Sequence, residues 1–281
     1  MTALLALMSS AVWGGADFLG GTLSRRMPAF LVVGASQAIA LILLIPVIFA
    51  VGAVGDPAGY LPWGIAAGLV GMVSLVAFYE ALAVGTMGVV APIAATGVVV
   101  PVVIGLGQGE RPASVQMVGV VAAVAGVVLA SGPEVRGARE GSVRGGSRAL
   151  LLAAASAAGF GLVLWLIAKG AHYSVAMTLL TQRCASVSVV VVVAAVLRRT
   201  GGLRAGHLPQ LAVVGAGDVA ANGMYALATR SGLISLVAVL GSLYPVVTVL
   251  LARFLHGERL RPIQNVGVAA ALAGVVMIAA G

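Results

Sequence analysis

Gly109–Val128 reads GERPASVQMVGVVAAVAGVV, and 148 residues further on Gly257–Val276 reads GERLRPIQNVGVAAALAGVV, with thirteen of the twenty columns identical. Glycine and alanine coincide easily in apolar text. Glu110 with Glu258, Arg111 with Arg259 and Gln116 with Gln264 do not, so the chain contains an internal repeat. Weaker echoes extend it: Ser9, Ala11 and Gly14 fall opposite Ser156, Ala158 and Gly161 at a shift of 147, and Gln37 falls opposite Gln182 at a shift of 145.

Working outward from the repeated segment, apolar runs of about 20 residues, each long enough to cross a bilayer, fill the chain. They lie near 2–23, 30–52, 62–84, 87–108 and 114–132, then near 148–169, 174–197, 209–229, 232–255 and 262–280. Residues 1–132 and 148–281 therefore read as two five-span units. The intervening 133–147, polar, glycine-rich and without helical periodicity, reads as a linker. An odd number of spans makes the second unit enter the membrane from the opposite side. The expected fold is an all-α integral membrane protein of ten transmembrane helices in two inverted five-helix repeats, an arrangement typical of secondary transporters.

Composition agrees. Of 281 residues, 61% are hydrophobic and 9% charged, against roughly 25% charged in a soluble domain. The 39 glycines suit membrane helices that pack backbone against backbone. In particular, Gly119, Ala123 and Gly126 match Gly267, Ala271 and Gly274, and each stripe is expected to be buried against a neighbouring helix. The net charge of +8 reflects basic residues in short loops rather than a nucleic-acid surface. One cysteine, Cys184, allows no internal disulfide and no CxxC metal site. His172, His207 and His256 lack metal-ligand spacing, and GLGQG at Gly105–Gly109 follows an apolar helix rather than a strand, so a dinucleotide reading fails. No cofactor, metal or enzymatic activity is expected. The first run, from Ala3, has no basic stretch before it and reads as a span rather than a cleaved signal.

An ionisable group at membrane depth costs about 2.5–3.5 kcal/mol and by default faces a cavity or a partner. Four stand within spans: Asp17, Glu80, Arg183 and Asp218. Asp218, Asn222 and Tyr225 share one helical face, as do Ser10, Trp13 and Asp17, and both stripes could line one cavity. Gln37, Tyr79 and Tyr244 complete the substrate or proton pathway candidates, with Trp165 a further possible wall. The alternatives are a fixed salt bridge between Arg183 and Asp17 or Asp218, and a Glu80 close enough to a helix end to reach water. If Arg183 pairs with Asp218, the coupling proton is expected on Glu80. Glu110 and Glu258, at span ends, read as helix-end contacts. Pro92, Pro101 and Pro245 each remove a helical hydrogen bond, and a kinked pair of spans four and nine beside a central site is expected.

These residues resemble the EamA-type family of the drug/metabolite transporter superfamily. The resemblance rests on WGG at Trp13–Gly15, FYEALAVG from Phe78, YALATRSG from Tyr225 and the two GER segments, and it spans essentially the whole chain. It implies an efflux permease of small metabolites such as amino acids, commonly proton-coupled, in the plasma (inner) membrane, working as a monomer or homodimer. Many such relatives carry an arginine in both the second and seventh spans, whereas here Arg183 stands alone opposite the region of Gln37. An amino-acid-like zwitterion fits best, its ammonium on a carboxylate and its carboxylate on Arg183. A lipid or polyprenyl-carrier flippase is the alternative, and a membrane-embedded enzyme a more distant one.

Orientation follows from charge. Loops after the odd-numbered spans hold twelve basic residues, and those after the even-numbered spans hold three, Arg111, Lys169 and Arg230. The positive-inside rule places both termini outside, whereas the resemblance implies cytoplasmic termini. The charge count predicts that a cytoplasm-only reporter fused after Gly281 is silent; activity of that fusion would reverse the assignment.

Overall fold

The computed structural model describes residues 1–85, 87–130, 146–197, 203–256 and 262–280. Among these the secondary structure is helical throughout. The expected first three spans appear as α1 (Thr2–Ser24), α2 (Ala29–Ala50) and α3 (Leu61–Val84). The fourth is broken into α4 (Met87–Ala95) and α5 (Val99–Gly107) by a 3-10 turn at Thr96–Val98, and α6 (Ser114–Ala130) follows. The second half runs α7 (Gly146–Ala171), α8 (Val175–Leu197), α9 (Leu208–Thr229), a broken ninth span of α10 (Ile234–Gly241) and α11 (Tyr244–His256), and α12 (Pro262–Ala280). Most of the expected linker, with Glu258 and Arg259 of the second GER, lies outside the described residues. The last two linker positions, 146 and 147, are already helical.

Among the described residues six helices, α1, α2, α3, α7, α8 and α9, are long and apolar enough to cross a membrane; their 22 to 26 residues rise roughly 33–39 Å. The other expected spans are shorter or interrupted apolar helices. Large apolar side chains stand exposed on the described helices, with Phe49, Val73, Leu151 and Val196 each more than two-thirds exposed. In water that would be an aggregation surface, and in lipid it is the solvated face.

The breaks have a local cause. Pro101 and Pro245 have no N–H to give to the carbonyls four residues back, which belong to Gly97 and Gly241, and the helix ends at or beside each of these glycines. Pro92 lies inside α4, which continues past it. Of the three prolines singled out in the sequence, two interrupt a span and one does not.

The halves pack by exchange. α1 lies along α9 as α7 lies along α3; α2 meets α9 as α8 meets α3; α4 meets α7 as α10 meets α1; α5 meets α10 as α11 meets α4. α2 meets α8, its own counterpart, and α6 runs along α12. Small residues at matching places make these approaches possible. A Cβ on Gly68 would strike the Gln182 carbonyl of α8, and one on Gly215 the Ser36 carbonyl of α2. Gly14 presses on the backbone of Tyr244, and Gly161, its counterpart at a shift of 147, on that of Gly97. The weak echo between Gly14 and Gly161 thus marks where each half's first helix crosses the break in the other half's fourth span.

The GER segment explains itself at Gly109. Its φ of 92° is left-handed, a conformation glycine takes without penalty. It closes α5, the Gly109 N–H reaching the Leu106 carbonyl (3.1 Å) and the Glu110 N–H the Gly105 carbonyl (3.0 Å), a Schellman end. Glu110 then crosses to the other half and accepts from the first backbone N–H groups of α10, Ile234 (2.7 Å) and Ser235 (3.0 Å). A carboxylate there satisfies orphan donors and meets the positive end of the helix dipole. The expected helix-end role of Glu110 is what the structure places there.

Candidate functional site

A cavity of about 770 Å³, its open mouth included, lies where the two halves cross. Among the described residues, every span contributes to its wall except α6 and α12, which pack on one another. Both helix breaks reach it, through Ala95 and Val98 on one side and Gly241 and Ser242 on the other. Backbone carbonyls freed within a membrane persist where protein or a wet cavity meets them, so the breaks and the cavity belong together.

The polar end of the cavity joins three helices. Arg183 on α8, 2% exposed, sets its Nη2 2.9 Å from Asp218 Oδ2 on α9 and donates from Nη1 to Gln37 Oε1 on α2. Gln37 Nε2 donates in turn to Asp218 Oδ2 (3.0 Å), and Asn222 Nδ2 donates to Asp218 Oδ1 (3.0 Å) one turn along α9. Gln37 and Asn222 are themselves buried. Each residue stands near the middle of its helix, the depth at which an unpaired charge is most costly. The pair answers one alternative left open by the sequence: Arg183 is bound to Asp218, not to Asp17.

Asp17 on α1 faces the same cavity. Its Oδ1 accepts from the buried Tyr79 hydroxyl on α3 at 3.3 Å, and among the described residues no basic side chain pairs with it. Gly20, one turn along α1, makes this contact possible, because any side chain there would occupy the space of the Tyr79 ring. Trp13, one turn earlier, lines the cavity with Tyr244 and Phe160.

Of the ten residues expected at the site, Trp13, Asp17, Gln37, Arg183, Asp218, Asn222 and Tyr244 line the cavity. Tyr79 stands behind it on Asp17, and Tyr225, fully buried, stands behind it against Trp13 with ring centroids 5.8 Å apart. Glu80 does not belong there. It sits near the end of α3, a third exposed, in an ion pair with the largely exposed Arg148 at 3.0 Å, which is the water-reaching alternative. Trp165 is also elsewhere, edge-on to Trp63 at 5.5 Å. The sequence reading missed Phe160, Gln182, Ser186 and Ser242 as lining residues. Gln182 carried a signal, as the repeat partner of Gln37, and its buried Oε1 has no partner among the described residues.

A solved crystal structure superposes on this chain with a TM-score of 0.76, covering 98% of this chain and 95% of its own at 19% identity, a likeness that speaks for the fold. No curated protein matches the sequence. A family profile described as the EamA-like transporter family matches residues 1–132 and again 147–280, the two halves that exchange contacts around the cavity. Matched over both halves, this multi-pass membrane protein belongs to the EamA-like transporter family.

Proposed function

We propose that the chain is a ten-span secondary transporter, an exporter of a small metabolite coupled to protons, working by alternating access between two inverted units, 1–132 and 148–281, joined by 133–147. The observation that carries this reading is the position of the cavity. It lies midway along the helices, between units related by exchange, with a broken helix of each unit in its wall. Site, pseudo-symmetry and discontinuous helices together are what a rocking mechanism around a fixed central site requires.

The coupling carboxylate is Asp17 rather than Glu80. Glu80 is neutralised by Arg148 at a helix end, and Asp218 is held by Arg183, Gln37 and Asn222. Asp17 can gain and lose a proton without breaking an ion pair. The groups facing it are Tyr79 from α3, Asp218 from α9, Arg183 from α8 and Tyr244 from α11.

In proteoliposomes under an imposed pH gradient, Asp17→Asn is expected to lose gradient-driven flux, and any exchange that remains should no longer respond to pH. Glu80→Gln should behave as wild type. Gradient-driven flux in a well-folded Asp17→Asn variant would remove Asp17 as the proton carrier, and its loss in Glu80→Gln alone would return that role to Glu80. The substrates for this assay come from an untargeted screen of metabolites taken up by the vesicles.

A further inference from the structure

We infer that the cavity takes an organic monocation, an ammonium group on a flat apolar body, with Asp17 as its counter-ion. The inference rests on reading the cavity as the transport site and narrows the substrate class from the amino-acid-like zwitterion that the sequence suggested. It begins from a count of charge. Among the described residues, three side chains of formal charge at neutral pH line the cavity: Asp17, Arg183 and Asp218. Arg183 and Asp218 cancel, 2.9 Å apart; Gln37 bonds both of them, and Asn222 bonds Asp218. The described lining is left with one negative charge, on Asp17.

A substrate carboxylate would have to share Arg183 with Asp218, through the buried Nε that no other described group meets, and would add a second uncompensated negative charge beside Asp17 in a low-dielectric cavity. A cation meets no such obstacle. Asp17 offers Oδ2, since its Oδ1 is the atom that accepts from Tyr79, and an ammonium there forms a charge-assisted hydrogen bond. The remaining wall suits the rest of such a ligand. Trp13 lies one turn from Asp17 on the same face of α1, Tyr244 and Phe160 are also in the wall, and Leu75, Val163 and Leu164 fill it out. Aromatic faces beside a carboxylate attract a cation through the ring quadrupole as well as burying apolar surface. Ligand and proton would then compete for one carboxylate, so that carrying one outward returns the other.

Three probes share one body and differ in charge: phenethylammonium, L-phenylalanine and 3-phenylpropionate. Titrated into the purified full chain in detergent, with Trp fluorescence and calorimetry as readouts, phenethylammonium is expected to bind, and the other two to bind at least an order of magnitude more weakly. Asp17→Asn should weaken phenethylammonium binding roughly thirtyfold or more, and Asp17→Glu, which keeps the charge, should restore most of it. Wild-type preference for phenylalanine or phenylpropionate, absence of phenethylammonium binding, or equal affinity in a folded Asp17→Asn variant would each overturn the inference. Flux of the same probes into proteoliposomes separates this from the transport reading. Asp17-dependent binding of the cation without translocation keeps the inference and removes the transporter. Translocation of the zwitterion or anion does the reverse.

Discussion

Replacing Arg183 with alanine is expected to lower the stability of the protein in detergent by about 3–5 kcal/mol, because it strands the Asp218 carboxylate in the centre of the bundle. The surroundings make this a severe case. Arg183 is 2% exposed and is the largest fully buried side chain among the described residues; it joins α8 to α2 and α9 through Gln37 and Asp218. Gln37 and Asn222 remain to solvate Asp218, yet neither carries a charge. For a chain of this size the loss should lower the thermal midpoint by roughly 10 °C. Replacing both partners, Arg183→Met with Asp218→Leu, removes the charges together. The cost that remains is that of Gln37 and Asn222 losing partners, about 1–3 kcal/mol, so the double variant should melt above Arg183→Ala. A double variant as unstable as the sum of the two single changes would mean that the pair is not coupled.

The same network shows how far the sequence could be read. That Asp17, Arg183 and Asp218 had to face a cavity or each other followed from the cost of charge in lipid, a penalty that each residue carries alone. Which of them paired did not follow, because Asp17 and Asp218 are both within helical reach of a common cavity and differ only in the helices that flank them. Glu80 shows the limit of depth as a guide. Its place in an apolar run suggested burial, while its neutralisation comes from Arg148, 68 residues away, in the first turn of a helix that begins inside the expected linker. Tyr225 shared a helical face with Asp218 and Asn222 in the sequence, yet it stands behind the cavity against Trp13, while Tyr244, just past the break that precedes α11, lines it. The broken spans were legible as prolines, but a proline interrupts a membrane helix only where the carbonyl it frees has somewhere to go. Gly97 lies against α7 and Gly241 in the cavity wall. The repeat, by contrast, was legible in GER, and in its first copy the left-handed Gly109 and the helix-capping Glu110 are demands of local geometry.

The glycine stripes of α6 and α12 were equally legible, and they support the second large effect. Gly126→Leu and Gly274→Leu should each destabilise the protein by more than the ~1–3 kcal/mol typical of an overpacked core. A soft neighbour could turn aside, but none is offered here. A side chain on Gly126 would meet the backbone of Ala271 and the Gly267 carbonyl; one on Gly274 would meet the backbone of Ala123 and the Gly119 carbonyl. Backbone cannot repack, so the helices must separate, and with them goes the close contact that drives association in a solvent as apolar as the side chains. Because no described residue of α6 or α12 lines the cavity, the damage should appear as a lower melting temperature and poorer membrane assembly. Protein that does assemble should keep its wild-type affinity for substrate. Val121, which points outward at 66% exposure, supplies the control: Val121→Leu on the lipid face of the same helix should leave melting unchanged. Equal melting for Gly126→Leu, Gly274→Leu and wild type would show that α6 and α12 do not touch along this seam. Reduced affinity in assembled Gly126→Leu would show instead that the pair, although outside the cavity, helps to hold its shape.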